Sequence, residues 1–208
     1  MRVADEIYLL CHDDRTGNAT VAPRVMGAGL AAGLVGELLL SGNLRLHGGG
    51  LYPAAEAVAP EDRLAREVLE VVGDGRHDRQ LAGWLRFLAV EAVMDVRRRL
   101  VTDGVLVRVR SRRLLGVRWS YPPAQSNAAA WPGIRLARIL TEGEPLPVSD
   151  QVLAGLVDAM GLLERVLWDG DTHAPGRRAA ARVRDALPGD VAVLVAQTAT
   201  VVADVVLT

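Results

Sequence analysis

Lysine is absent from this chain of 208 residues, and all 24 of its non-histidine cations are arginine. That absence excludes a Walker-type phosphate lysine, a Schiff-base lysine and a Ser–Lys catalytic pair. Cysteine occurs once, as Cys11, so neither an intrachain disulfide nor a multi-cysteine zinc site can form. Aromatic residues are only 4% of the chain, against 50% hydrophobic overall, so the core must be mostly Leu, Val and Ala. Close helix–helix packing follows more readily from that composition than an aromatic ligand pocket. A formal net charge of −1 supplies no overall field for nucleic acid; only a local patch could hold an anion. The opening Met1-Arg2-Val3-Ala4-Asp5-Glu6 carries acids where a signal peptide has its apolar core. Two apolar segments, 25–40 and 191–207, are interrupted by Glu37 and by Gln197 and Asp204. Both fall short of the roughly 20 clean apolar residues of a spanning helix, so both are expected as core helices of a soluble protein.

What the chain does contain is a joint used twice. Leu38-Leu39-Leu40-Ser41-Gly42-Asn43-Leu44-Arg45-Leu46 and Arg99-Leu100-Val101-Thr102-Asp103-Gly104-Val105-Leu106-Val107 each run an apolar helix into a glycine, then alternate. Glycine ends a helix cheaply in the left-handed conformation, and a change of period from near four to two marks a strand. A long helix is expected from Pro23, with Gly29 and Gly33 on a face another backbone could approach. A hairpin should fold 43–46 onto 50–52 across His47-Gly48-Gly49. Pro60-Glu61-Asp62 opens an acidic first turn leading into Leu64, Val68, Leu69 and Val72. The segment 78–102 reads as a helix burying Trp84, Leu85, Phe87 and Leu88. A second hairpin is expected from 105–109 and 114–119 across Ser111-Arg112-Arg113, followed by helices at 126–141, 149–167, 173–186 and 190–207. The expected architecture is mainly α: a compact single-domain helical bundle over 1–208 with two or three short β-hairpins.

Most chemical motifs fail on context. Gly27-Ala28-Gly29-Leu30-Ala31-Ala32 fits a dinucleotide fingerprint but lacks the strand before it and the acid about 20 residues on. Cys11-His12-Asp13-Asp14 and Asp169-Gly170-Asp171-Thr172-His173 hold metal-competent groups without ligand spacing, so solvated turns are expected and no metal or other cofactor. No nucleophile elbow accompanies the four histidines. The arginines are the one concentration of chemistry. Arg97, Arg98 and Arg99 close a helix, Arg108 and Arg110 share a strand face, and Arg112 and Arg113 sit near the expected turn. A solvated face complementing the helix dipole is one reading. The other is an anion site in which guanidinium groups grip phosphate, made by Arg24, Arg97, Arg98, Arg108, Arg110, Arg112 and Arg113. A winged-helix DNA reader would also place Arg-rich strands after a helix, but it needs a polar recognition helix just before them.

Tyr8-Leu9-Leu10 with Asp14-Arg15-Thr16-Gly17, then Gly29-Leu30 through Gly36-Glu37-Leu38 to Leu46, Trp84-Leu85, the joint from Arg99 to Leu106, and a Val-Ala-rich close from Val191 follow one another along the chain. In that order and spacing the chain resembles the Golgi phosphoprotein 3 family, which includes short bacterial members. The resemblance implies a non-enzymatic, mostly helical domain. Eukaryotic members are peripheral membrane proteins that bind phosphatidylinositol 4-phosphate and help retain glycosyltransferases. Their headgroup pocket uses a tryptophan and three arginines, which fall here at Ala22, Ala31, Val90 and Val93. The implied function is peripheral binding of anionic, phosphoinositide-like phospholipid without those headgroup residues, in the cytoplasm at the inner membrane face. The alternatives are a protein-interaction or self-associating module that docks a client, and, less strongly, a DNA binder.

Overall fold

The computed structural model describes residues 1–75, 79–113, 116–142, 146–167 and 173–207. In chain order these form α1 (Val3–Leu10), α2 (Pro23–Leu40), β1 (Leu44–His47), β2 (Gly50–Pro53), α3 (Arg63–Gly73), α4 (Leu81–Thr102), β3 (Val109–Arg113), β4 (Gly116–Ser120), α5 (Ser126–Glu142), α6 (Val148–Ala159), α7 (Leu163–Val166), α8 (His173–Asp185) and α9 (Gly189–Leu207). The architecture is mainly α, as expected, with two antiparallel strand pairs among the described residues.

Helix α2 is the axle. Its residues from Val25 to Gly36 are buried without a break, and α1, α4, α6 and α9 pack around it. Small side chains make that possible. A Cβ on Gly27 would lie 2.7 Å from the carbonyl oxygen of Ala89 in α4, and one on Gly33 would lie 2.9 Å from Cα of Ala4 in α1. Gly33 thus admits a backbone as expected. Gly29 instead faces the side chain of Met160, and Gly27 is the second point of backbone approach. By length and composition both α2 and α9 do reach what a spanning helix needs, which corrects the expectation that they fall short. Most of α2 is inside the fold, whereas α9 buries a stripe of Val191, Leu194, Val195, Thr198, Val201 and Val202 and leaves the remainder outside.

The repeated joint is a Schellman motif in both places. Gly42 has φ +71°, with Asn43 N–H donating to the Leu38 carbonyl at 2.8 Å; Gly104 has φ +72°, with Val105 N–H donating to Leu100 at 2.9 Å. A third copy at Gly161 ends α6, with Leu162 N–H on the Val157 carbonyl at 2.9 Å. The single helix expected over 149–167 is therefore two, because Gly161 takes a φ of +70° that no helix continues through. The first hairpin turns on Gly48 and Gly49, both at positive φ, as a two-residue turn of primed type requires. Phe87 departs from expectation. Trp84 and Leu85 are buried, but Phe87 stands edge-on to Trp84 and stays 44% exposed on the flank of the α4 stripe.

Two polar clamps run through the core. Arg99 of α4 is buried among Asp5 (2.8 Å), Glu37 (3.1 Å) and Asp62 (3.1 Å). Glu37 also accepts from the Ala4 amide at 2.8 Å, and Asp62 caps α3 by accepting from the Ala65 amide at 2.9 Å. On α1 the next acid, Glu6, meets Arg135 of α5 at 2.6 Å, which also reaches Asp150 of α6 at 2.9 Å. Burial raises the carboxyls of Asp5, Glu6 and Glu37 above the ordinary range, more than the facing arginines lower them.

Candidate functional site

The segment after Gly104 leaves α4 as an arginine-rich ribbon. Its pairing begins before the named strands: Ala124 N–H donates to Val105 and Val107 N–H to Pro122, each at 2.9 Å, and Leu106 bridges Pro123. The same register continues through Val109 opposite Ser120, Arg110 opposite Trp119 and Arg113 opposite Gly116. The expected turn at Ser111-Arg112-Arg113 is therefore corrected: those residues are in β3, held in the ladder by β4. Residues 114 and 115, expected to open the return strand, lie outside the described residues. Leu106 is buried and fixes the base of the ribbon to the helices.

Register decides the chemistry of one face. Arg110 is opposite Trp119, and the same pairing carried two residues back sets Arg108 opposite Tyr121. The Arg108 guanidinium lies 3.8 Å from the centre of the Trp119 ring and that of Arg110 lies 6.0 Å from it. From α4, Arg97 stacks over Tyr121 at 4.3 Å. Planar guanidinium groups are attracted to aromatic faces and keep their edge N–H groups for other acceptors. None of Arg97, Arg108 and Arg110 has a carboxylate partner among the described residues. Trp119 is 42% exposed, so the stack sits at the surface.

The other predicted residues are not gathered there. Successive helical positions are about 100° apart, and the three arginines of α4 meet three surroundings. Arg97 faces Tyr121, Arg99 is in the buried clamp, and Arg98 pairs with Asp95 at 3.2 Å on a side lined by Glu61, Asp62, Glu67 and Asp103. Arg98 thus belongs to a cleft of mixed charge, which Arg2, Arg63 and Arg99 also line, rather than to the ribbon. Arg24 is exposed in the first turn of α2. Arg112 and Arg113 close β3, and their side chains lie outside the described residues. Trp119 and Tyr121 were missed by composition; the readable signal was their spacing of two, matching Arg108 and Arg110 across the strand.

The positions that carry the headgroup in the resembling family hold no charge here. Ala31 is fully buried, Val93 is half-buried, and Val90 is 80% exposed on α4. Cys11 is buried, and burial pushes its thiol up to about 12. His12 stacks on Tyr8 at 4.0 Å and donates from Nδ1 to the Tyr8 carbonyl at 2.7 Å. Burial first, with Arg97 and Arg165 nearby, holds His12 below its ordinary value, so the ring is neutral at pH 7. One oxygen of Asp13 accepts from Thr16 N–H and Oγ1, each at 2.7 Å, and from Arg15 N–H at 3.2 Å, which lowers that carboxyl. No group of three or more metal-ligating side chains gathers among the described residues. Most of the second candidate cluster, 169–172, lies outside the described residues, as does the His173 side chain.

A family model described as Golgi phosphoprotein 3 (GPP34) matches residues 3–205, nearly the whole chain. A search of curated proteins returned no match.

Proposed function

This chain belongs to the Golgi phosphoprotein 3 family, and from that premise we infer that it is a non-enzymatic, adaptor-like protein attaching reversibly to anionic phospholipid surfaces. It does so as one domain over 1–208, from the cytoplasmic side. The observation that carries this reading is the trio Arg97, Arg108 and Arg110, each set on or beside an aromatic ring and none neutralised by a carboxylate among the described residues. Each basic side chain at an anionic surface contributes about 1 kcal/mol, so three supply about 3 kcal/mol. Trp119 adds an amphipathic ring of the type found at membrane interfaces. That total supports weak, salt-sensitive attachment rather than insertion. The uncharged Ala31, Val90 and Val93 weigh against the eukaryotic manner of gripping a headgroup; charge on the surface, not one inositol phosphate, is what the ribbon reads.

Co-sedimentation with vesicles tests it. Vesicles containing acidic phospholipid should pellet the protein at low salt, neutral vesicles should not, and 0.5 M salt should release it. Arg108→Glu/Arg110→Glu should abolish pelleting, while Arg98→Glu should leave it nearly unchanged. Equal pelleting with neutral vesicles would overturn the reading. A second reading has its own support: Val107 and Val109, on the opposite ribbon face, are 46% and 40% exposed. Docking of a client or a second copy on those valines predicts a concentration-dependent solution mass that Val107→Ser/Val109→Ser removes. Duplex DNA is the weaker alternative, because the helix preceding the ribbon buries Trp84 and Leu85 instead of presenting polar residues.

A further inference from the structure

A cleft of about 580 Å³ opens between α1, α5 and α7, a volume in the range of small-molecule sites (about 300–1,000 Å³). Its floor is one face of α5 reduced to Ala129, Ala130, Gly133 and Ala137. Leu9 and Leu10 from α1 and Leu162 and Val166 from the α7 region form apolar walls, and Ile134 stands 57% exposed at the rim. Longer side chains at the alanines would fill the space. The small residues keep it open.

The rim carries two arginines that no carboxylate among the described residues holds closely. Arg165 is exposed and hydrogen-bonds the Thr20 hydroxyl, with no carboxylate partner among the described residues. Arg138 has only Glu142, 3.9 Å away on the same helix, and both side chains are about half exposed, a pair worth little in water. Two aspartates also line the cleft: Asp13 is hydrogen-bonded within its own loop and stays ionised, Asp14 is exposed, and neither forms an ion pair with Arg138 or Arg165 among the described residues. His12, neutral and stacked on Tyr8, contributes ring surface and no charge.

The geometry points to a binding site for a single-chain amphiphile with an anionic head, its carboxylate or phosphate held by Arg165 and Arg138 and its hydrocarbon laid over the small-residue floor of α5. Guanidinium groups suit either head through paired N–H donors. The site shares no residue with the arginine ribbon and does not depend on attachment to a bilayer.

Isothermal titration of the full chain with sodium dodecanoate and with dodecyl phosphate, both below their micellar concentrations, tests this. Saturation at one molecule per chain by either probe is expected, and which of the two binds identifies the head. Dodecyltrimethylammonium and inorganic phosphate should give no saturable heat. Arg138→Glu/Arg165→Glu should weaken binding about tenfold or more, and Ala137→Leu should do the same by occupying the floor. Circular dichroism checks that each variant is folded, and the exposed Arg138→Glu/Arg165→Glu keeps the test valid should Ala137→Leu not fold. Arg108→Glu/Arg110→Glu should bind as the parent does. The inference is overturned if neither anionic probe binds, if the cationic amphiphile binds equally, or if only the ribbon variant loses affinity.

Discussion

Replacing Arg99 by methionine removes the one charge that, among the described residues, touches Asp5, Glu37 and Asp62 at once. Asp5 and Glu37 are almost wholly inside, so Glu37 would stay buried without a cation and Asp5 would keep only the half-exposed Arg2, 3.8 Å away. Breaking a buried pair in this way costs about 3–5 kcal/mol, which in a chain of this length lowers Tm by about 6–20 °C. The pH dependence is more diagnostic. Burial holds Asp5 and Glu37 above their ordinary values of 3.8 and 4.5 even with Arg99 present. Between those values and the raised ones the folded state binds more protons than the unfolded chain, so stability is full at the acid end and falls as pH rises. Removing Arg99 raises both carboxyls further and extends that window upward. Thermal unfolding of Arg99→Met should therefore show a large deficit at pH 8 and a smaller one at pH 5. Adding Asp5→Asn and Glu37→Gln should recover much of the loss, since neutral amides need no cation. A deficit below about 1 kcal/mol, or one equal at the two pH values, would refute the account of the clamp.

Three further outcomes follow from packing and caps. Gly33→Asn and Gly42→Asn should part company in urea unfolding: Asn tolerates the left-handed φ at Gly42, where nothing lies within 4 Å, but at Gly33 its Cβ meets α1 and costs about 1–3 kcal/mol. Asp62→Ala loses the α3 cap and one contact to Arg99, for a destabilisation of about 1–2 kcal/mol that calorimetry can read. The Cys11 thiol, buried and shifted to about 12, should react with a disulfide reagent at pH 8 only as fast as the protein opens, and rapid labelling of the native state would contradict its burial.

Local rules were enough for several elements. Ser41-Gly42 and Asp103-Gly104 end helices because glycine alone takes positive φ cheaply, and both ends fall where a single-chain reading sets them. The same rule applies at Gly161, yet the apolar residues on either side masked it, and one helix was expected where two form. Phe87 shows the limit of periodicity: it lies on the edge of the α4 stripe, and only the position of α3 and α2 decides which edge is covered.

The arginine surface divides the same way. Chain pattern alone determined that α4 ends in three consecutive arginines, that an alternating Arg108–Arg110 segment follows a glycine, and that nothing in the sequence could serve as a lysine-based active site. Tertiary structure decided what each cation meets: Asp5 and Glu37 for Arg99, Asp95 for Arg98, an aromatic face for Arg97 and Arg108. The physical reason is that backbone preference acts within a few residues, whereas neutralisation depends on which distant side chain arrives within about 4 Å, and that is settled only when the helices pack.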